Sequence, residues 1–357
     1  MKIKVVTLIQ FLIVSLLSSQ TVNVKIVNED GVPLSDAEVN VSFSDSRYKE
    51  GYEGKVQQSD ENGKASFSGM GRLGILLWVK KEGYYPYGDY PAERERLMAE
   101  EGETVYREVV LRTIRNPIRL YAKRTFVGDS LRRYTIPEMD KWLGFDFEAG
   151  DWVEPHGSGK EADILVRYYA EFVKFRNSPS RTMEERRASY RRKCERQGIS
   201  FTEEGFKKAI GLWEGTLEFS FPGEKEGLVR VEDDFLLHNA LRMPHEAPEH
   251  GYMSEYVVEK AEGPVPGGVV TDETPKKYLD SRKDIGFFLR TRVKLDENGE
   301  ILSANYSKVH GDFQFGPKGY FAFDYYFNPT PNDRNLEFDP KRNLFPKSVE
   351  GSNVIFP

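Results

Sequence analysis

Residues 21–27 alternate apolar and polar side chains, and this pattern constrains the fold of the chain more than any other feature. A period of two places Val22, Val24 and Ile26 on one face of a strand, so this face must be buried against a second sheet. The turn at residues 28–31 ends the strand, and Gly31 can adopt the positive φ that such a turn requires. Short strands and tight turns of this kind recur and predict a β-sandwich. The later strand segments are residues 37–43, 65–67, 73–81 and 105–111.

An apolar stretch at residues 5–17 precedes the first strand and follows Lys2 and Lys4. A positive start, a short apolar stretch and small residues before the next element are typical of a secretory signal peptide. The stretch is shorter than the roughly 20 apolar residues that a permanent anchor needs. We therefore expect a signal peptide at residues 1–19, export to the periplasm or the extracellular space, and no stable transmembrane anchor. An uncleaved N-terminal anchor is the alternative.

Charge and cysteine content limit the classes of binding partner and of covalent cross-link that the chain can have. The formal net charge of −6 is a poor match for nonspecific nucleic-acid binding, so we expect no nucleic-acid partner. Cys194 is the only cysteine and no disulfide can form within the chain. A chain of 357 residues can bury enough surface in two domains to fold without one.

A second β-rich region follows the break at Asn116-Pro117. We expect the first domain to span residues 21–124, with a linker at 125–133, a larger antiparallel β-rich domain at 134–345 and a C-terminal tail at 346–357. The fold class is therefore mainly β, with one or two helices. Strands of the second domain are predicted at residues 164–174, 215–221, 228–231, 255–260, 286–295, 301–309 and 320–327.

A basic helix interrupts these strands. Thr182 and Glu185 form a capping-box pattern, and Gly198 is a natural C-terminal stop. The arginines and lysines between them either form a ridge that grips an anionic polymer or a membrane surface, or face solvent in mixed ion pairs. Charge runs on helices usually do the latter. A second short helix is predicted at residues 201–212.

Residues 24–39 read Val-x-Ile-x-Asn-Glu-Asp-Gly-x-Pro-Leu-x-x-Ala-x-Val and resemble the opening of the carboxypeptidase regulatory-like domains, which are transthyretin-like β-sandwiches. Residues 59–67 and 81–86 resemble two later signatures of that family. This resemblance implies a noncatalytic accessory module on an exported protein, without peptidase residues. The second region resembles recurring blocks of exported bacterial proteins, a resemblance that transfers no activity. Those blocks are residues 116–123, 144–155, 246–252 and 325–339.

Three aromatic residues of the second region are candidate ligand-binding residues. Trp142, Trp152 and Tyr252 lie in or near segments that look like loops. Sugar rings stack on exposed aromatic faces, so we expect these side chains to contribute to a binding site. The alternative is that they fill the core under long loops, since large aromatic side chains are mostly buried.

Two histidines are weak candidates for a metal site. A zinc-protease helix needs histidines four positions apart on one face, with a glutamate as base. His245 and His250 are five apart, and Pro248 between them disrupts a helix. We therefore predict no metal site and no cofactor.

These observations favour a noncatalytic exported binding or scaffolding protein whose partner is a polysaccharide or another cell-envelope component. One alternative is a hydrolase with its site in the second domain, metal-assisted through His245 and His250. The other is a purely structural envelope component.

Overall fold

The chain divides into two compact units, and each is described by itself. In the computed structural model, unit 1 comprises Met1–Ile114 and His238–Ala240, and unit 2 comprises Arg115–Leu237 and Leu241–Pro357. Residues 1–18 of the expected signal peptide and residues 128–129 and 132–133 of the expected linker lie outside the described residues. The structure describes residues 19–88, 95–127, 130–131, 134–232, 238–263, 274–278, 284–316 and 319–357.

Unit 1 is a β-sandwich. Its strands are β1 (Gln20–Asn28), β2 (Glu38–Ser44), β3 (Tyr52–Gln58), β4 (Lys64–Gly69), β5 (Gly74–Lys80), β6 (Glu95–Leu97) and β7 (Thr104–Leu111). One sheet has the order β4-β1-β7, with β1 antiparallel to β4 and parallel to β7, and the other has the order β3-β2-β5-β6. Val22 of the first sheet and Val41 and Phe43 of the second are fully buried in one shared core. The period-two alternation therefore turns one face of each sheet inward.

Gly63 closes the turn before β4, and its conformation leaves no room for a side chain. Its φ is 72°, and a Cβ atom there would lie 2.3 Å from the carbonyl oxygen of Ile26. We expect Gly63→Ala to lower the free energy of unfolding by about 2–3 kcal/mol, because the left-handed strain adds to this clash. Gly31→Ala is the control, since Gly31 has φ 77° but open space around it; about 1 kcal/mol is expected there. Urea unfolding measures both, and equal losses would show that the Ile26 contact contributes nothing.

Unit 2 contains two larger sheets and, among the described residues, two α-helices. The strands are β8 (Tyr121–Lys123), β9 (Phe126–Val127), β10 (Ser130–Leu131), β11 (Tyr134–Thr135), β12 (Leu143–Asp146), β13 (Asp151–Trp152), β14 (Ile164–Phe175), β15 (Gly211–Ser220), β16 (Gly227–Glu232), β17 (Glu255–Ala261), β18 (Ile285–Leu295), β19 (Ile301–Gly316) and β20 (Tyr320–Asn328); the α-helices are α1 (Met183–Arg196) and α2 (Glu203–Ile210). One sheet has the order β11-β20-β19-β18-β16, with β8 also paired to β20, and the other has the order β13-β12-β14-β15-β17. Strands β9 and β10 pair with each other.

An aromatic core joins the two sheets of unit 2. Phe145 and Phe219 from one sheet and Phe321 and Phe323 from the other belong to a single buried cluster. The ring centres of Phe145 and Phe323 lie 5.3 Å apart in an edge-to-face arrangement. Such pairs add about 0.5–1.5 kcal/mol beyond the burial of their area. Aromatic contacts across the sheets therefore hold unit 2 together.

The other face of β18, β19 and β20 is covered by irregular chain. Tyr326 of β20 packs there with Leu120 and Val354 in a second buried cluster. The sequence pattern predicts a border between the domains at residue 124 and a tail that begins at residue 346. In the structure β8 pairs with β20, and Val354 and Phe356 are buried. The segments on either side of the second domain thus form part of unit 2, because they cover apolar side chains that the sheet leaves on this face.

The helix α1 begins where the capping box predicted. Thr182 Oγ1 accepts from the backbone N–H of Glu185 at 3.2 Å, and Glu185 Oε2 accepts from the backbone N–H of Thr182 at 2.7 Å. The capping box is therefore confirmed. In the described part of the chain, neither helix is long and apolar enough to cross a membrane.

Candidate functional site

The structure places the three predicted aromatic residues in different surroundings. Trp152 is 3% exposed, and its indole N–H donates to the carbonyl oxygen of Thr135 at 2.9 Å. Its ring packs against Phe145 and Phe321, with centres 5.4 and 5.9 Å away. No face of the Trp152 ring is open to a sugar, because β13 directs it into the core between the sheets. The expectation of an exposed ring is corrected at this position.

Trp142 and Tyr252 are more accessible, but an arginine lies over each ring. Trp142 is 43% exposed, and the guanidinium carbon of Arg167 lies 4.9 Å from its ring centre. Tyr252 is half-buried, its hydroxyl donates to the carbonyl oxygen of Pro248 at 2.7 Å, and Arg290 lies 4.3 Å from its ring centre. Within the described residues, no ring contact joins any two of Trp142, Trp152 and Tyr252, so these side chains remain separate positions.

The two candidate histidines have opposite environments. His245 is 5% exposed, and its carbonyl oxygen accepts from the backbone N–H of Leu336 at 2.7 Å. The side chain of His250 is 92% exposed and lies 3.9 Å from Glu249. In the part of the chain that the structure describes, no group of three or more His, Cys, Asp or Glu side chains is placed to hold a metal ion.

A largely buried arginine in unit 2 is surrounded by carboxylates. Arg292 donates to Asp163 through both Nε (2.8 Å to Oδ1) and Nη2 (2.9 Å to Oδ2), and reaches Glu148 at 3.0 Å. Asp163 also accepts from the hydroxyl of Thr291 and the backbone N–H of Phe147. Burial raises the pKa of Asp163 to about 6 even though Arg292 favours its charged form. Both oxygens of Asp163 are thus occupied, and the contacts connect β18 to the start of β14.

Asp146 beside this cluster organises the backbone. Burial opposes ionisation of Asp146, but backbone N–H donors and Arg292 outweigh it and lower the pKa of this carboxyl below its usual value. The arrangement closes two turns and ties them to β18, which is a structural task. The donors to its two oxygens are the N–H groups of Glu148 (2.9 Å), Ala149 (3.1 Å), Lys160 (2.9 Å) and Glu161 (3.2 Å).

An open groove of about 800 Å³ lies in unit 1, on the outer face of the β4-β1-β7 sheet. Its floor carries the side chains that alternation turns away from the core. Strand pairing sets Tyr106 beside Asn23, and Asn23 beside Ser66, in a row across the sheet. In the adjacent row, Glu108 stands beside Lys25. We call this surface the polar groove; it is defined by Asn23, Lys25, Gln57, Gln58, Ser66, Tyr106 and Glu108.

Polar contacts organise the floor of the polar groove. Ser66 Oγ donates to Asn23 Oδ1 at 2.7 Å, which leaves the Asn23 amide N–H₂ as a donor toward the groove. Lys25 Nζ lies 2.8 Å from Glu108 Oε2. Tyr106 is 77% exposed, so a flat aromatic ring stands beside these groups. An exposed aromatic face next to amides and a hydroxyl can stack on a sugar ring and bond to its hydroxyls.

The polar groove was not predicted from the sequence, because the candidate ligand-binding residues were aromatic residues in segments that look like loops. Tyr106 occupies a polar position of an alternating strand, where a large aromatic side chain must point to solvent. An aromatic residue at such a position was the available signal. Its neighbours could not be inferred, because Lys25 and Glu108 are 83 positions apart.

No protein-family model matches the chain, and no curated protein matches it. A 3-chlorocatechol 1,2-dioxygenase from Rhodococcus opacus 1CP is 13% identical, with 27% of this chain and 60% of that chain covered and a TM-score of 0.22. GBS52, the minor pilin of Streptococcus agalactiae, is 16% identical, with 28% and 47% covered and a TM-score of 0.22. A streptococcal ancillary pilin is 12% identical, with 41% and 48% covered and a TM-score of 0.22. The chain thus spans 60% or less of each of these structures, and TM-scores of this size assign neither fold nor activity.

Proposed function

We propose that the protein is a noncatalytic exported binding or scaffolding protein, and that the polar groove of unit 1 binds a polysaccharide of the cell envelope. The observation that carries this proposal is the exposed ring of Tyr106 in register with Asn23 and Ser66. A stacking face and hydrogen-bonding groups on one rigid sheet are the elements that sugar recognition needs. The apolar leader at residues 1–19 supports export.

The proposal includes the identity of unit 1 as a transthyretin-like sandwich of the carboxypeptidase regulatory-like kind. Residues 24–39 cover the second half of β1, the turn after it and the start of β2. Residues 59–67 cover the turn at Gly63 and most of β4, and residues 81–86 follow β5. The three motifs therefore occupy turns and strand ends, where particular residue types are needed for the backbone. This placement supports the resemblance and an accessory, noncatalytic role.

Affinity electrophoresis tests the groove. The mature protein would run in gels that contain a soluble β-glucan, mannan or xylan, and its sedimentation with purified peptidoglycan would be measured in parallel. We expect retention in at least one medium and a loss of about tenfold in affinity for Tyr106→Ala, since a stacking contact contributes on the order of 1.4 kcal/mol.

Tyr52→Ala is the matched control for Tyr106→Ala. Tyr52 lies on β3 of the same unit, is 58% exposed and does not line the polar groove. Its removal should leave retention unchanged. Equal losses in the two variants, or no retention of the parent protein in any medium, would contradict the proposal. Reproducible self-association without retention would instead favour a structural envelope component.

A further inference from the structure

The two helices of unit 2 form one insertion between paired strands. Strands β14 and β15 are antiparallel neighbours, and residues 176–210 connect them. Phe206 of α2 is fully buried and packs against Phe175 at the end of β14, with ring centres 5.6 Å apart. Tyr190 of α1 and Phe201 pack on Phe206 at 5.8 and 6.1 Å. An aromatic cluster therefore anchors the insertion to the sheet and holds the helices in a fixed arrangement.

The insertion has the opposite charge to the rest of the chain. Residues 176–210 contain ten arginines and lysines and five glutamates, a net charge of +5, whereas the whole chain carries −6. The remainder of the chain therefore carries −11. The Debye length at physiological salt is about 8 Å, so distant acidic side chains do not cancel this local charge at the surface of the insertion.

Contacts within the insertion occupy most of its glutamates. Glu185 is held by the capping box at Thr182. Glu203 lies 3.3 Å from Arg187, and Glu204 lies 2.8 Å from Lys208. Glu184 and Glu195 are the remaining glutamates and are exposed. The excess of positive charge is therefore carried by exposed cations. Arg181 precedes the beginning of α1, and further exposed cations lie in its C-terminal half: Arg191, Arg192, Lys193 and Arg196.

Three cations of α1 and one exposed apolar residue lie close together in the sequence. Cys194 is 2% exposed and marks the buried side of α1, so Arg192 and Arg196, four positions apart, share the opposite side. Lys193 is exposed next to them. Ile199 lies three positions beyond Arg196, the last residue of α1, and is 53% exposed. Its backbone N–H donates to the carbonyl oxygen of Cys194 at 3.0 Å. Exposed cations and an exposed apolar side chain within one short segment suit an interface with lipid headgroups, where the cations meet phosphates and the apolar group enters the acyl boundary.

We infer that the helical insertion at residues 176–210 docks the protein on a membrane surface rich in anionic phospholipids. The inference rests on the segregated charge and on Ile199, and it does not depend on the polar groove. Each lysine or arginine near an anionic surface contributes on the order of 1 kcal/mol, so three to five cations give useful but reversible attachment.

Vesicle co-sedimentation of the mature protein tests the inference. We expect binding to vesicles of phosphatidylcholine mixed with phosphatidylglycerol, little binding to pure phosphatidylcholine, and loss of binding at about 0.5 M salt. The triple variant Arg192→Gln, Lys193→Gln and Arg196→Gln should bind roughly a hundredfold more weakly. Ile199→Ser should reduce binding by a smaller factor.

A charge-matched control separates local from overall electrostatics. Lys49→Gln, Lys160→Gln and Lys347→Gln together remove the same charge from exposed positions outside the insertion. This variant should keep the vesicle binding of the parent protein, and circular dichroism should show both triple variants folded. Equal losses in the two triple variants, or equal binding to both vesicle types, would overturn the inference. Binding to dextran sulfate without binding to vesicles would also overturn it, in favour of an anionic polymer.

Discussion

Arg292→Met is expected to lower the free energy of unfolding of unit 2 by about 3–5 kcal/mol, because it leaves a buried carboxylate without its cation. The side chain of Arg292 is 13% exposed and that of Asp163 is fully buried. After the substitution, Asp163 keeps only the donors of Thr291 and Phe147. Methionine preserves much of the apolar stem of the arginine side chain. The loss of stability therefore reflects removal of the guanidinium group and not the formation of a cavity. The effect is large because desolvation of the carboxylate is no longer offset.

Urea unfolding, followed by fluorescence, measures this loss. Arg292→Lys should give an intermediate loss, since lysine keeps the charge but cannot donate to both oxygens in the two-pronged geometry. Lys294→Met on the same strand is the control; Lys294 is exposed, and a change within about 0.5 kcal/mol is expected. Similar small changes in Arg292→Met and Lys294→Met would show that the ion pair adds nothing to the stability of the fold.

The destabilisation by Arg292→Met should depend on pH. The pKa of Asp163 is raised from 3.8 to about 6, so the folded chain binds more protons than the unfolded chain between these values. The contribution of this carboxyl to stability therefore increases as pH falls through this window. A protonated Asp163 also no longer needs a cation. The loss caused by Arg292→Met should accordingly be smaller near about pH 5 than near about pH 7.

Phe321→Ala should cost about 3–5 kcal/mol through loss of contacts and formation of a cavity. Phe321 is fully buried, and its ring contacts those of Trp152, Phe219 and Phe323, with centres 5.9, 6.0 and 4.6 Å away. These partners come from both sheets of unit 2. The tightly packed surroundings cannot collapse fully into the space that the ring leaves. Phe321→Leu retains part of the volume and should therefore cost clearly less than Phe321→Ala.

Fluorescence and urea unfolding also check this expectation. Trp152 contacts Phe321, so its fluorescence emission should change in the folded variant. The midpoint of urea unfolding should fall as well. Leu302→Ala is the control, because Leu302 lies on β19 of the same unit but is 64% exposed. That variant should stay within about 0.5 kcal/mol of the parent protein. A small loss for Phe321→Ala would mean that the aromatic core between the two sheets repacks freely.

Much of the secondary structure was predictable from local patterns. The hairpin predicted at residues 286–295 and 301–309 is confirmed by β18 and β19. Its turn is closed by Asp296, whose Oδ1 accepts from the N–H groups of Asn298 and Glu300. The strand at β19 continues to Gly316, beyond the predicted end, because a bulge after His310 lets pairing with β20 resume. Such irregularities depend on the partner strand and leave no signal within one segment.

The candidate site was less predictable than the fold. Trp152 was expected in a loop but fills the core, since its short strand β13 pairs with β12 and turns the ring inward. Tyr106 was part of a predicted strand, yet its role in the polar groove depends on Asn23 beside it. The carboxylates of residues 146–163 gave no spacing signal, because their partner Arg292 comes from a distant strand.

The sequence by itself determined the local elements of this protein: alternating strands, glycine-containing turns and the capped basic helix. Each of these depends on residues within a few positions, where backbone preference and the period of burial act directly. Only the tertiary structure decided which side chains meet. The contact of Arg292 with Asp163 joins residues 129 positions apart, and that of Lys25 with Glu108 joins residues 83 apart. Strand order and register bring such residues together, and these depend on the packing of whole sheets, which no single segment encodes.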